Sequence, residues 1–314
     1  MQFSVRAPAS SANLGPGFDT IGIALDIWNE VTIDTDGEPG SVINEGPESA
    51  LLEGHENLTL TAMRMLAREY RRKLPAFSLT AYTGIPVSRG LGSSAAALVV
   101  GLIAANRLLD LDLSQDDLFQ MAWRIEGHGD NVGATMYGGA IMAVPHITGV
   151  TRLWHKEDLG LTCVLFIPEA TGATHAARAA LPNTVPHTDA RFNVATVAGL
   201  AMGLKLQDHA LIAAGMHDRL HEPYRARLFP HLNAMKEAAK RAGAIGAVLS
   251  GAGPTVLALA TLEKAVEVHA AYEAAAHLLG VPGQAHIIGP SSDGATANIP
   301  TPAGASNEPI FPGR

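Results

Sequence analysis

The chain has 314 residues, 47% of them apolar and 17% charged, with 22 basic side chains against 30 acidic ones and a formal charge of −8. That length allows one large domain or two ordinary ones. The acidic balance argues against nucleic acid or an anionic membrane as the main partner, since both want a basic face. The single cysteine, Cys163, excludes an internal disulfide, and within "TCVLFIPE" it reads as a core thiol. The opening "MQFSVRAPASSANLG" shows no basic stretch leading into an apolar run. The longest apolar run, Ala95 to Ala105 with Gly101 inside it, falls well short of the ~20 residues a membrane span needs. A cytoplasmic protein is the expectation.

In chain order, "FSVRAPA" and "EVTIDT" predict strands around a glycine-rich loop, "SSANLGPGFD". Leu58, Ala62, Met63, Leu66, Ala67 and Tyr70 recur at helical spacing and predict a helix over residues 58–72. "AFSLTAYTGIPV" alternates as a strand and breaks at Gly84 and Pro86. A helix then runs over residues 94–109, and Ser114, followed by acidic residues, predicts the N-cap of the next. Near residue 152 the character changes, and we place a domain boundary there. "TCVLFIPE" is a strand, and three helical segments fill residues 174–222. A helix over 231–242, two strands flanking "SGAGPT", a helix over 262–279 and a strand at "AHII" complete the order of a split βαβ sheet of ferredoxin-like type. The reading therefore gives domains 1–152 and 153–290. Residues 291–314, rich in Pro, Gly and Ser, read as a disordered or loosely docked tail.

The stretch "PVSRGLGSSAAALVVG", from Pro86 to Gly101, asks for a ligand. Gly90, Gly92 and Ala95 fit the G-x-G-x-x-A of a dinucleotide fold, and Asp110 follows Gly90 by twenty residues. That acid should end a second strand, yet residues 94–109 form one helix and leave no room for it. Ser94 could head a degenerate nucleophile elbow with His175 or His221 as base, but the second glycine and an oxyanion partner loop are missing. A tight turn with a good helix start would also use these residues. The physics favours a phosphate cradle. A helix beginning at Ser93 or Ser94 presents unpaired N–H groups and its positive dipole end to the loop. Gly90 and Gly92 let the backbone wrap an anion, and the serine hydroxyls can take a phosphate oxygen or a magnesium ion. No Walker A lysine is present, so magnesium and the helix dipole, helped by Arg89, must meet the phosphate charge.

"PVSRGLGSSAAA" resembles the phosphate loop of the GHMP kinases, the family of galactokinase, homoserine, mevalonate and phosphomevalonate kinases. "PASSANLGPGFDTIG" and "SGAGPTVLALA" resemble its first and third motifs, in the right order across some 290 residues. The resemblance implies an α+β, two-domain GHMP kinase fold, with an N-terminal domain like ribosomal protein S5 domain 2 and a ferredoxin-like C-terminal domain. It implies ATP and Mg2+, with Pro86, Val87, Ser88, Arg89, Gly90, Leu91, Gly92, Ser93, Ser94, Ala95 and Ala96 forming the phosphate loop and Asn57 lying near the adenine. Asn57 also stands where an N-cap would begin the 58–72 helix.

Further polar clusters point to the homoserine kinase branch. "IEGHGDNVGATMYGG" packs Glu126, His128, Asp130 and Asn131 into six residues. The resemblance makes Glu126 and Ser94 the magnesium ligands, and magnesium wants such hard oxygens. Arg178, in "AARAALP", and Arg225, in "HEPYRARLFP", match segments that grip a substrate carboxylate, a task suited to a planar guanidinium. Asp19 matches the anion for the substrate ammonium, with Asn13 and His128 beside it. The implied reaction moves the γ-phosphoryl group of ATP to the side-chain hydroxyl of L-homoserine, a step toward threonine. Asn131 orients that hydroxyl, and its proton passes either to the phosphate or to Asp130. The alternatives are another GHMP alcohol kinase, such as one acting on mevalonate, or an inactive ligand sensor of the same fold. The partners expected are small molecules, and a homodimer is compatible with the family.

Overall fold

A computed structural model describes residues 1–154 and 160–298. The chain begins with two long strands, β1 (Gln2–Asn13) and β2 (Gly17–Asp34), then β3 (Val42–Glu45), α1 (Leu58–Glu69) and β4 (Ser78–Thr83). Helices α2 (Ser93–Leu108), α3 (Gln115–Glu126) and α4 (Asp130–Tyr137) follow, and then β5 (Ala140–Met142) and β6 (Thr151–Trp154). The second half runs β7 (Leu161–Pro168), α5 (Thr174–Ala179), α6 (His187–Leu206), α7 (His209–Gly215), α8 (Glu222–Arg225), α9 (Leu232–Arg241), β8 (Gly246–Leu249) and β9 (Val256–Thr261). It ends with α10 (Ala265–Leu279), β10 (Gly283–Ile288) and β11 (Thr296–Asn298).

Among the described residues, the first sheet has the order β11-β1-β2-β4-β3, with β5 joining β2 to β6. Only the β3–β4 pair in it is parallel. The second sheet, β10-β7-β9-β8, is antiparallel throughout and has the strand order expected of a split βαβ unit. Helix α2 is apolar nearly all round because it is buried nearly all round. Leu98, Val99, Val100, Leu102 and Ile103 are each at most 6% exposed, and burying such a side chain is worth roughly 1.5–3 kcal/mol. This helix is the spine of the first core, and the site is built at its N-terminus.

Two boundaries differ from the sequence reading. Position 152 falls inside β6, which pairs with β5 of the first sheet, so the first domain continues to at least Trp154. The tail expected to be loose docks in its described part. Pro290 bridges to Leu25, Ser291 accepts from Gly139 N–H, and β11 adds itself to the outer edge of β1. The free amides and carbonyls of an edge strand supply the drive for that pairing, whatever the composition of the segment that meets them. Residues 299–314 of the expected tail lie outside the described residues.

Candidate active site

The loop before α2 meets the helix at Gly92, whose φ of 72° places it in the left-handed region and which has no side chain to cap the first turn. The leading N–H groups of α2 are therefore open to an anion. Gly90 and Gly92 are required on steric grounds as well. A Cβ on Gly90 would lie 2.3 Å from the Ser250 carbonyl oxygen, and one on Gly92 would lie 2.1 Å from Ser10 Oγ. Ser250 Oγ donates to Gly90 O (2.6 Å) and takes a hydrogen bond from Ser11 Oγ (2.8 Å), tying the loop to the second domain.

Arg89 lines the cavity, but its guanidinium is engaged by the protein itself. Its guanidinium donates to Pro168 O, Val87 O and Glu169 O and pairs with Glu48 at 2.7 Å. It is a clamp that fastens the loop to the opposite domain. Ala95 and Ala96 turn their methyl groups into the core. Pro86 and Ala96 also stand outside the cavity wall that the rest of the loop forms.

One cavity of about 480 Å³ collects the other predicted residues. Val87 to Ala95 line it from the glycine loop, and Asn57, Leu51, Leu52 and Tyr82 line it as well. Asn57 does cap α1, accepting from Leu60 N–H (3.1 Å), so the capping role is present and the base-binding one is compatible with it. Asn13, Asp19, Glu126, His128, Asp130 and Asn131 line the other end with Arg178 and Arg225.

That end is dense with charge. Asp19, held by its N–H to Asn13 Oδ1 (3.0 Å), takes a bidentate pair from Arg178 at 2.9 and 3.0 Å. Arg225 is 2% exposed and has no carboxylate in ion-pair contact among the described residues. Its Nη1 donates to Gly251 O (3.0 Å) and to His221 Nδ1 (3.3 Å), and its Nε to Ala177 O (3.3 Å). Nη2 has no hydrogen-bond partner among the described residues. Burial, and then the charge of Arg178, pull Arg225 below the usual guanidinium range, yet it stays a cation. Both guanidinium carbons sit over the Phe18 ring, at 5.6 Å for Arg178 and 5.4 Å for Arg225.

Asp130, 1% exposed at the start of α4, accepts from His128 Nδ1 (2.6 Å) and from Asn131 N–H (2.8 Å) through one oxygen. Burial opposes a charge on His128, but the hydrogen bond and charge of Asp130, with Glu126 behind, hold the imidazole above its ordinary value. Glu126 is pushed up from the usual carboxylate range, first by burial, against the pull of His128 and Arg178. Among the described residues it accepts no hydrogen bond, and its one basic neighbour in ion-pair range is His128 Nε2 at 3.9 Å. Asp19, His128 and Asp130 also gather ligand-type atoms within 4.8 Å of one another, but each is already paired, so they form an ion-pair network.

Three contributors escape sequence reasoning. Ser10 is fully buried and donates to Asn131 Oδ1 (2.9 Å), while Thr135 Oγ1 donates to Ser10 (3.1 Å). That fixes the amide with its oxygen turned to Ser10 and its Nδ2 without a partner among the described residues. Phe18 floors the two arginines, and Gly251 O joins Asn13 Nδ2 (3.0 Å) to Arg225. "SGAGPT" contains the last of these and "PASSANLGPGFDTIG" the first two, but neither motif shows what Ser10 or Phe18 contacts.

Known proteins share both halves. The family model for the GHMP kinase N-terminal domain matches residues 57–139, and that for the GHMP kinase C-terminal domain matches residues 200–277. A homoserine kinase of Gloeobacter violaceus is 42% identical over 273 residues, covering 85% of this chain and 90% of its own. One of Moorella thermoacetica is 39% identical over 256 residues, 81% of this chain and 86% of its own. The crystal structure of homoserine kinase from Cytophaga hutchinsonii, 27% identical, superposes with a TM-score of 0.84 over 95% of this chain and 97% of that one. A mevalonate kinase structure, 15% identical with a TM-score of 0.68 over 92% and 99% of the two chains, shares the fold alone. With matches across both domains and a phosphate loop, acid cluster and paired arginines in one cleft, the chain belongs to the GHMP kinase family, in the company of its homoserine kinases.

Proposed function

We propose that this protein transfers the γ-phosphoryl group of ATP to the side-chain hydroxyl of L-homoserine. The observation that carries the substrate is the pairing around Phe18. Asp19 and Arg178 neutralise each other, and beside them Arg225 is buried with no carboxylate in ion-pair contact among the described residues. A buried, unpaired charge is costly, and the carboxylate of an amino acid supplies the missing anion. Its ammonium group then competes for Asp19, so a zwitterion exchanges one internal ion pair for two external ones. A sugar or a carboxylic acid without an amine satisfies only part of this set.

ATP phosphates dock on the N–H groups of α2 and the glycine backbone before it. Glu126 and the exposed Ser94 hydroxyl fit a magnesium ion, because Glu126 is a half-buried carboxylate that accepts no hydrogen bond. The chemistry a bound magnesium ion supplies is neutralisation of charge on the transferring phosphoryl group. Phosphoryl transfer has a loose transition state, so positioning does most of the work and a strong base is not required. Asn131 Nδ2 orients the hydroxyl oxygen. Asp130 takes both of its hydrogen bonds on Oδ1, so the hydroxyl proton passes either to the phosphoryl oxygens or to the second oxygen of Asp130. Homoserine, mevalonate, galactose and shikimate, each offered with ATP and magnesium while ADP is followed, test the assignment. Turnover of mevalonate or galactose in preference to homoserine overturns it.

A further inference from the structure

His221 is fully buried and sits where three parts of the substrate end meet. Its Nε2 is 2.7 Å from Gly15 O, its Nδ1 is 3.3 Å from Arg225 Nη1, and its ring stacks on Phe18 at 5.3 Å and 26°. A carbonyl oxygen only accepts and a guanidinium only donates. The proton must therefore be on Nε2, and Nδ1 must offer a lone pair. Asp218 lies 3.7 Å from Nε2 but draws no second proton to the ring, since its oxygens are saturated. They take the N–H groups of Leu220, His221 and Glu222 and the amide of Asn193. With Nη1 held by His221 and Gly251 and Nε by Ala177, only the Nη2 edge of Arg225 is left for a ligand.

We infer that His221, as the Nε2–H tautomer, is a positioning residue that aims the free edge of Arg225 at the carboxylate of the substrate and fixes its distance from the Gly15–Asp19 loop. The inference rests on the reading of Arg225 as the carboxylate's partner. Carboxylate recognition then depends on an acceptor at the Nδ1 position, and nucleotide binding does not.

The test compares kcat/KM for L-homoserine with that for 4-amino-1-butanol, which lacks the carboxylate. His221→Gln keeps a donor for Gly15 but loses the acceptor for Arg225; His221→Asn places an amide oxygen where Nδ1 stood. The Gln variant should lower the homoserine preference ~10-fold, the scale of one charge-assisted hydrogen bond. The KM for ATP should stay unchanged, and the Asn variant should recover most of the preference. Equal losses on both substrates, which a merely structural role would give, overturn the inference. So does an unchanged homoserine preference. Arg225→Met separates the two levels: if it lowers the preference and His221→Gln does not, only the inference fails. If Arg225→Met itself leaves the preference intact, the carboxylate reading fails. Nitrogen-15 spectra of the wild-type imidazoles give a check independent of any buried variant. His221 should show an Nε2–H tautomer whose Nδ1 resonance moves when homoserine binds, and an Nδ1–H tautomer overturns the inference.

Discussion

Arg225→Met and Arg178→Met should both weaken homoserine binding, but by unequal amounts that the structure sets. A hydrogen bond to a charged group is worth roughly 1.5–3 kcal/mol, and each 1.4 kcal/mol is about tenfold in affinity. Arg225 merits the upper end of that range. It is 2% exposed, and no internal carboxylate has to be given up when the substrate arrives. Arg178 merits the lower end or less, because its side chain is 45% exposed and leaves a bidentate pair with Asp19 to meet the substrate. The KM for homoserine should therefore rise about 100-fold in Arg225→Met and at most about 10-fold in Arg178→Met. Initial rates of ADP release at saturating ATP and varied homoserine give both values. A matching titration of ATP at saturating homoserine should show little change in either variant. An inverted order would refute the argument from burial. A parallel rise in the KM for ATP would mean that these arginines serve the phosphates.

Glu126→Gln removes one charge from the metal end of the cleft at nearly constant shape, and kcat should fall by orders of magnitude while the KM for ATP changes less. Wild-type turnover in that variant at saturating magnesium would remove Glu126 from the ligand set. Ser10→Ala frees the Asn131 amide to turn, so kcat should drop ~10-fold with both KM values unchanged; unchanged kcat would mean that the amide needs no anchor. His221 and His231 are both held below the ordinary imidazole value, first by burial. The unfolded chain takes up protons on them near pH ~6.5, before the folded one does, so their contribution to stability is present above that pH and is lost as pH falls below it. Urea unfolding at pH 7.5 and 5.5 should show the loss, and His231→Gln should shrink it. An equal pH dependence in the variant would show that His231 is not one of the groups responsible.

The parts of the site that are legible in the sequence are those whose chemistry and backbone demands are local. Gly90, Gly92 and the serines before an apolar helix announce an anion site because the helix start and the glycine conformations follow from the residues themselves. Glu126, His128, Asp130 and Asn131 are legible because four polar groups share one short segment. Arg89 shows where locality fails. In the sequence it is a cation inside a phosphate loop, but its partners Glu48, Pro168 and Glu169 lie 41, 79 and 80 residues away. Ser10 fails for the same reason, as a strand serine whose acceptor is 121 residues on. The tail misleads differently. Composition speaks only for what a segment can bury by itself, and 296–298 is ordered by an edge that β1 offers to it.

The residues of the candidate site come from different domains, and one turn, Ser250–Gly251, contacts both ends of it. The first domain carries the phosphate loop and the acid cluster; the second brings Arg178 and Arg225. At the seam, Ser250 Oγ holds Gly90 O on the nucleotide side, and Gly251 O holds both Asn13 Nδ2 and Arg225 Nη1 on the substrate side. Gly251 N–H returns a hydrogen bond to Ala12 O. Two adjacent residues thus fix the loop before α2 relative to Arg225. In a reaction whose barrier is lowered chiefly by holding donor and acceptor oxygens in line, that relative position matters more than the affinity of either pocket. On the function proposed above, the "SGAGPT" segment would set the distance between the two substrates, through Ser250 on one side and Gly251 on the other.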